Sequence, residues 1–475
     1  MAQTVFERSR PSARIVEHAL SAAVQRPFWI DDITQPRRHR LDAPVSADLA
    51  IVGGGYSGLW TAVLAKRRHP DARVVLLEAK TVGWAASGRN GGFVEASLTH
   101  GDDNGRSRFP SEIDRLIELG LENLDEIERA VDEYALECDF ERNGALSLAV
   151  EPYQVDALRA ATTDEHTVFL DTDAVRRQVD SPTYLAALWE KRTSALVHPA
   201  RLAAELARVA EELGVEIFEN TPVRSISSSS GSPTAPVTVV TDNARVTARR
   251  VALGTNVFPS LLRRNRLATV PVYDYVLMTE PLSDEQLRSI GWANRQGLGD
   301  GANQFHYYRL SHDNRILFGG YDAIYHYGAR VRPSYEDRPE TFRRLAEHFF
   351  TTFPQLEGLR FSHRWAGAID TCTRFCAFYG AARQGRVAYA AGYTGLGVAA
   401  THFAANVMLD LLDGEVTERT SLEMVRRRPL PFPPEPVASL GIQTTRWSLD
   451  RADHHGGRRN GILKALDAVG LGFDS

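Results

Sequence analysis

The sequence predicts an α/β fold, α+β overall, in which a parallel βαβ domain is joined to a domain built on a mainly antiparallel sheet. Three observations predict it. The apolar run "ADLAIV" is broken by "GGGYSG" and followed by a helix-like stretch and a second apolar run, "ARVVLLE", all within Ala47–Glu78. That is one βαβ unit, with strands apolar enough to be buried on both faces. Between 270 and 320 the runs "VPVYDYVLMTE", "NQFHYYRL" and "RILFGG" are strand-like and closely spaced, as in an antiparallel sheet. The chain has 475 residues, more than one hydrophobic core usually serves, so two connected domains are expected.

The remaining elements follow in order. Residues 1–45 read as an extension ahead of the first domain. Pro27, Pro36 and Pro44 interrupt regular structure, and Phe28 and Trp29 are anchors that would pack the arm onto the surface of the body. Leu116, Leu119, Leu124 and Ile127 give 111–135 a helical period. "RLAAELARVAEEL" (201–213) is a helix closed by Gly214. "VEIFEN" and "ARVTARRVALGT" are strands, with "SSSSGSPTAP" (227–236) as a polar turn between strands. In the last segment, 421–475, "RRRPLPFPPEPV" must be extended or turn-like because proline blocks helix. "GILKALDAVGLGF" is weakly amphipathic.

Composition narrows the function classes. A net charge of -5 and a pI near 6.3 argue against a nucleic-acid protein, which would carry a basic face. Cys138, Cys372 and Cys376 give neither a disulfide framework nor metal-ligand spacing, and no metal is expected. His100, His198, His454 and His455 form no metal pattern either, and surface or capping roles are expected. No apolar run approaches the roughly 18 residues of a membrane span, and "ALSAAV" is too short for a signal-peptide core. A cytoplasmic protein is expected, with a homo-oligomer left open.

Gly53, Gly55 and Gly58 form G-x-G-x-x-G directly after a strand and at the start of a helix. Gly53 permits the tight turn, Gly55 lets backbone approach a pyrophosphate, and Gly58 lets helix and strand pack closely. Tyr56 and Ser57 begin the helix whose free N–H groups favour the diphosphate. Glu78 ends the next strand, where it can accept from ribose hydroxyls and would repel a 2′-phosphate. The unit is therefore a Rossmann-like dinucleotide site. It does not by itself separate NAD from FAD.

The segment "EAKTVGWAASGRNGGFV" (78–94) resembles the one that follows the second strand in the D-amino-acid oxidase superfamily of flavoproteins. It is most similar to the gamma-glutamylputrescine oxidase-like and aminophosphonate oxidoreductase branch. The resemblance implies that Ala79, Ser87, Gly88, Arg89, Asn90, Gly91 and Gly92 run beside the flavin. Further matches lie in "NTPVRSI", where Val223 would hold the adenine end, and in "VALGTN", where Gly254, Thr255 and Asn256 would pass under the cofactor. "VAYAAGYTGLGVAATHFAANVML" resembles the last flavin motif, with Gly392, Thr394, Gly395, Leu396 and Gly397 at its turn. The implied fold is a discontinuous FAD-binding domain (46–95, 190–265, 360–420) and a substrate domain (96–189, 266–359).

The implied reaction is FAD-dependent oxidation of a C–N bond in a small amine or amino acid. Hydride would pass to flavin N5, and O2 or another electron acceptor would reoxidise the flavin. Tyr273 and Tyr275 share one face of their strand and could line the pocket or form an ordinary aromatic pair. His306 and Tyr308 share a face in "FHYYRL". Arg309 lies on the other face, and could clamp a carboxylate or phosphonate or serve a structural salt bridge. Trp365, in "HRWAGAID", matches the family's Trp-x-Gly and is expected as an active-site wall. Relatives that bind flavin covalently use a cysteine near the Trp365 position, so non-covalent FAD is expected. Relatives that use a lysine to help oxygen react carry it at about Leu317, which leaves as alternatives a dehydrogenase of an amine or aminophosphonate with a non-oxygen acceptor, or a non-catalytic flavin-binding protein.

Overall fold

The computed structural model describes residues 3–162, 165–228 and 235–468. Of the polar turn at 227–236, residues 229–234 lie outside them, as does the chain after Ala468.

The first sheet has eight strands, and its centre is parallel. Val45–Val52 lies between Val74–Leu77 and Arg245–Leu253 and runs parallel to both. Glu216–Phe218 extends it beyond Val74–Leu77, and Val387–Ala391 also pairs in parallel with Arg245–Leu253. Ala50, Ile51, Val74, Val75 and Leu76 are all 0% exposed. Burial on both faces is why these strands are unbroken apolar runs. The helix Tyr56–Arg68 is buried from Tyr56 through Lys66. It is covered by the helices Pro199–Glu212 and Gly397–Asp413. The predicted helix at 111–135 is Ile113–Glu133 and buries Leu116, Leu119, Leu124 and Ile127.

The second sheet has ten strands. Across it run Phe361–Cys372, Thr269–Thr279, Ile316–Gly320, His306–Leu310, Gly297–Asp300, Ala145–Ala149, Ala186–Glu190 and Thr167–Leu170. Neighbours are antiparallel except Gly297–Asp300 with Ala145–Ala149. The sequence reading placed 360–420 in the FAD-binding segments. The strand Phe361–Cys372 instead pairs along its whole length with Thr269–Thr279, from Thr269↔Cys372 to Thr279↔Phe361. Only the chain after it, from Phe378, enters the first sheet.

The N-terminal arm is more structured than its prolines suggested. It forms the helices Val5–Arg8, Ala13–Leu20 and Phe28–Asp31, and Val24–Gln25 adds a parallel edge strand to Phe361–Cys372. Phe28 and Trp29 do not lie on the surface: they are 5% and 1% exposed. The Trp29 indole N–H donates to Asn90 O at 3.0 Å, so the arm reaches the loop that follows the second strand of the βαβ unit. Trp29→Ala should cost about 3–5 kcal/mol, the usual range for a buried aromatic cut to Ala. Urea denaturation measures it, and a cost under about 1 kcal/mol would show that the arm is not part of the core.

Candidate active site

The glycine motif forms a backbone cradle. Gly53 has φ +110°, and a Cβ there would lie 2.4 Å from Gly254 O. A Cβ at Gly58 would lie 1.9 Å from Gly53 O. The turn, the helix start and the crossing strand are thus in backbone contact. Glu78 is fixed from three sides. Its Oε2 accepts from Gly54 N at 2.7 Å, and its Oε1 from Lys80 N at 2.8 Å and the Trp84 indole at 2.7 Å. Burial pushes its carboxyl pKa upward against these bonds.

The segment after the second strand is held just as firmly. Ser87 Oγ accepts from Tyr56 N at 3.0 Å. Asn90 Nδ2 donates to Ala86 O and Ser87 O, and its Oδ1 accepts from Gly92 N. Arg89 donates from Nε to Trp84 O at 2.9 Å and from Nη1 to Glu336 Oε2 at 2.6 Å. The Trp365 indole donates to Arg89 O at 2.8 Å.

At the last motif Gly392 and Gly395 have φ +78° and +97°, and Asp370 Oδ2 accepts from Gly392 N at 2.6 Å. The 17-residue helix Gly397–Asp413 starts there, with its N-terminus at the cavity wall. Burial pushes the Asp370 carboxyl up to about 7, while the N–H groups of Gly392, Tyr393 and Thr394 pull it down. A carboxyl raised on folding destabilises the fold once ionised, so its contribution falls as pH climbs from 3.8 through about 7. Asp370→Asn should flatten the decline in melting temperature between about pH 5 and pH 8. An unchanged slope would contradict the assignment.

One cavity of ≈ 3010 Å³ joins these parts to the ten-stranded sheet. It is well above the roughly 300–1,000 Å³ of an ordinary small-ligand pocket, with room for a dinucleotide and a substrate. Of the expected cofactor residues, Gly53, Gly55, Tyr56, Ser57, Glu78, Ala79, Ser87, Arg89, Asn90 and Gly91 line it. So do Val223, Gly254, Thr255, Asn256, Thr394, Gly395, Leu396 and Gly397. Gly58, Gly88, Gly92 and Gly392 sit behind the lining, where a side chain would meet backbone or a ring. The residues present fit a bound dinucleotide on two further counts. Asn256 Oδ1 is buried without a hydrogen-bond partner, and a Cβ at Gly395 would meet nothing within 4 Å.

Comparison with known proteins decides which dinucleotide this is. Residues 48–411 match the family described as DAO, FAD dependent oxidoreductase. The chain belongs to this family. It is 30% identical to the gamma-glutamylputrescine oxidoreductase of Escherichia coli (strain K12) over 82% of this chain and 89% of that protein. It is 29% identical to a probable oxidoreductase OrdL of Haemophilus influenzae, over 79% of this chain and 85% of that one. Among solved structures, glycine oxidase from Geobacillus kaustophilus shares the fold at TM-score 0.65 and 20% identity, covering 81% of this chain and 99% of its own. L-proline dehydrogenase from P. horikoshii does so at 0.63 and 18%, covering 80% and 96%. As a member of the DAO family the protein is an FAD-dependent oxidoreductase.

In this DAO-family chain the expected substrate residues fall elsewhere. Tyr273 and Tyr275 are both 0% exposed and face away from the cavity, where their hydroxyls donate to Arg332 O at 3.4 Å and Tyr335 O at 2.7 Å. Their strand presents Val272, Asp274 and Val276 to the cavity instead. His306 and Tyr308 also point away. His306 Nδ1 lies 2.6 Å from Asp300 Oδ2 and its Nε2 2.8 Å from His348 Nδ1, and the Tyr308 and Tyr184 hydroxyls are 2.8 Å apart. Tyr307, between them, faces the cavity.

Arg309 shares the Tyr307 side of the strand but is buried behind the lining. Its Nη1 donates to Val197 O at 2.6 Å and to Gly92 O at 3.4 Å, and burial lowers its pKa to about 10. Among the described residues it meets no carboxylate, so it makes neither a clamp nor a salt bridge. Trp365 is 1% exposed, inside an apolar cluster with Phe28, Trp29, Val276, Met278 and Leu317. It braces the Ser87–Gly92 segment through Arg89 O and does not line the cavity. Sequence reasoning missed Asp274, Tyr307 and Asp370. The signal for the first two was present, as the opposite parity of the same two strands.

The three cysteines are free and buried, and the Cys372 thiol donates to Cys376 O at 3.1 Å, turned from the cavity. His198 caps the helix Pro199–Glu212 by accepting from Arg201 N. His454 Nε2 lies 3.1 Å from Glu7 Oε2, joining tail to arm. Among the described residues no helix is long and apolar enough to cross a membrane.

Proposed function

We propose that the protein oxidises a C–N bond in a small amine or amino acid, giving an imine that hydrolyses to a carbonyl compound, with O2 as the acceptor. The observation that carries this reading is the single cavity shared by the glycine cradle and the sheet face at Val272, Asp274 and Tyr307. FAD, when bound, supplies the two-electron oxidation. The chain positions the amine, keeps the space apolar and holds the flavin segment rigid. The relative named gamma-glutamylputrescine oxidoreductase supports an amine substrate. FAD is held non-covalently, in keeping with the direction of the Cys372 thiol. The flavin half comprises 46–95, 190–265 and the chain after Cys372. The substrate half comprises 96–189, 266–359 and the strand Phe361–Cys372.

A second reading, a dehydrogenase using another acceptor, is favoured by Leu317. That side chain is 0% exposed beside Trp29 and Trp365 in an apolar cluster, and it carries no charge of its own to offer oxygen. Turnover of an amine panel in air, with peroxide and carbonyl product both measured, separates the two. Equal amounts of peroxide and carbonyl compound are expected. Carbonyl formed only when an artificial dye acceptor is added would favour the dehydrogenase, and none under either condition would overturn amine oxidation.

A further inference from the structure

The cavity floor on the sheet side is cut by glycine. Tyr307 pairs with Gly319 on one neighbouring strand and Gly299 on the other, and Asp274 pairs with Gly367. A Cβ at Gly319 would lie 2.6 Å from the Tyr307 ring, and a Cβ at Gly91 would also lie 2.6 Å from it. The ring therefore fits between the floor and the Ser87–Gly92 segment only because both neighbours lack side chains. Its hydroxyl donates to Asp274 Oδ2. Asp274 lines the cavity between Val272 and Val276.

Among the described residues, Arg89 and Arg309 bring no free cation to this carboxylate. Arg89 has its guanidinium engaged by Glu336 and by the carbonyls of Trp84 and Ala366. Arg309 is spent on Val197 O and Gly92 O. From the elements packed around it Asp274 meets the Tyr307 hydroxyl, the N–H groups of Tyr275 and Gly320, and the weak field of His306 beneath the sheet. Burial outweighs these and pushes the carboxyl up to about 6. A carboxylate fixed on an apolar floor, beside the flavin segment, is a receptor for an ammonium group.

We propose that Asp274, oriented by Tyr307, binds the substrate's cationic amine and takes its proton, so that the site selects aliphatic amines with no carboxylate on the reacting carbon. The inference rests on the amine-oxidation reading above. One N–H proton passes from the ammonium nitrogen to an Asp274 oxygen and frees the nitrogen lone pair. The C–H electron pair then leaves with its hydrogen to FAD as the C=N bond forms. Tyr307 is a positioning residue: its hydrogen bond lowers the Asp274 pKa, so its loss raises that pKa.

The test compares FAD holoenzyme of the wild type, Asp274→Asn and Tyr307→Phe, with the flavin spectrum confirming folding. Binding of tert-butylammonium, which has no hydrogen on its C–N carbon and cannot be oxidised, is measured by calorimetry at pH 8. Asp274→Asn should bind it at least about tenfold more weakly, and flavin reduction by an oxidisable amine should slow by about 100-fold or more. The acidic limb of the wild-type rate profile should vanish in Asp274→Asn and move to higher pH in Tyr307→Phe. Equal tert-butylammonium binding by wild type and Asp274→Asn overturns the site. Binding that depends on Asp274, in an enzyme that no amine reduces, leaves the ammonium site standing and removes the oxidation reading.

Discussion

Gly58→Ala is expected to leave the protein without tightly bound FAD. The added Cβ would sit 1.9 Å from Gly53 O. The oxygen belongs to the backbone and the position of a Cβ is fixed by its own backbone, so no side-chain rotation relieves the contact. Overpacking a core costs about 1–3 kcal/mol where neighbours can shift. Here the strand ending at Val52, the Gly254 crossing and the helix start must move together, and these are the elements that shape the diphosphate site. A loss of about 3 kcal/mol is roughly a 100-fold weaker affinity. Flavin absorbance per polypeptide after purification reads it directly. A variant that keeps a full complement of FAD would show that the helix start is looser than the geometry requires.

Arg309→Met is expected to destabilise the fold and weaken FAD binding without changing which amines are used. The guanidinium holds Val197 O and Gly92 O together at the back of the flavin segment, and the cation lies 5.5 Å from the centre of the Trp29 ring. Its removal strands the buried Val197 carbonyl, at about 1–3 kcal/mol, while Gly92 O keeps its bond from Val197 N at 2.9 Å. Gly92 has φ +81°, and Gly91 beside it touches Tyr307, so slack there is felt at the cavity. Denaturation midpoints and FAD affinity should both fall. A variant of wild-type stability that loses activity only toward carboxylate-bearing substrates would restore Arg309 as a substrate clamp.

The two halves of the chain were unequally legible. The first strand, the glycine turn, the helix and Glu78 are read from about 30 consecutive residues because their chemistry is local: turn, helix dipole and strand length. The substrate face depends on a parity that sequence alone cannot set. Alternation shows that Tyr273 and Tyr275 share a side, but a strand has two sides, and a choice off by one inverts every assignment. The deciding contact is distant: the helix Pro339–Thr352 covers the tyrosine side, with the rings of Tyr275 and Phe342 5.6 Å apart. The same inversion hid Tyr307 between His306 and Tyr308. Trp29 and Trp365 escaped correct placement because each donates to a backbone carbonyl far away in sequence, at Asn90 and Arg89. The arm's helices were obscured by prolines that sit at or beyond helix ends, as Pro27 does before Phe28–Asp31.

One cavity is proposed to bring an amine to a bound flavin. The most direct measurement is the visible absorption spectrum of the purified protein, recorded without oxygen before and after addition of amines, amino acids and aminophosphonates in turn. The expected result is a flavin spectrum that bleaches with at least one amine and regains its colour when an acceptor is admitted. A flavin that dithionite reduces but no member of the panel bleaches would contradict it.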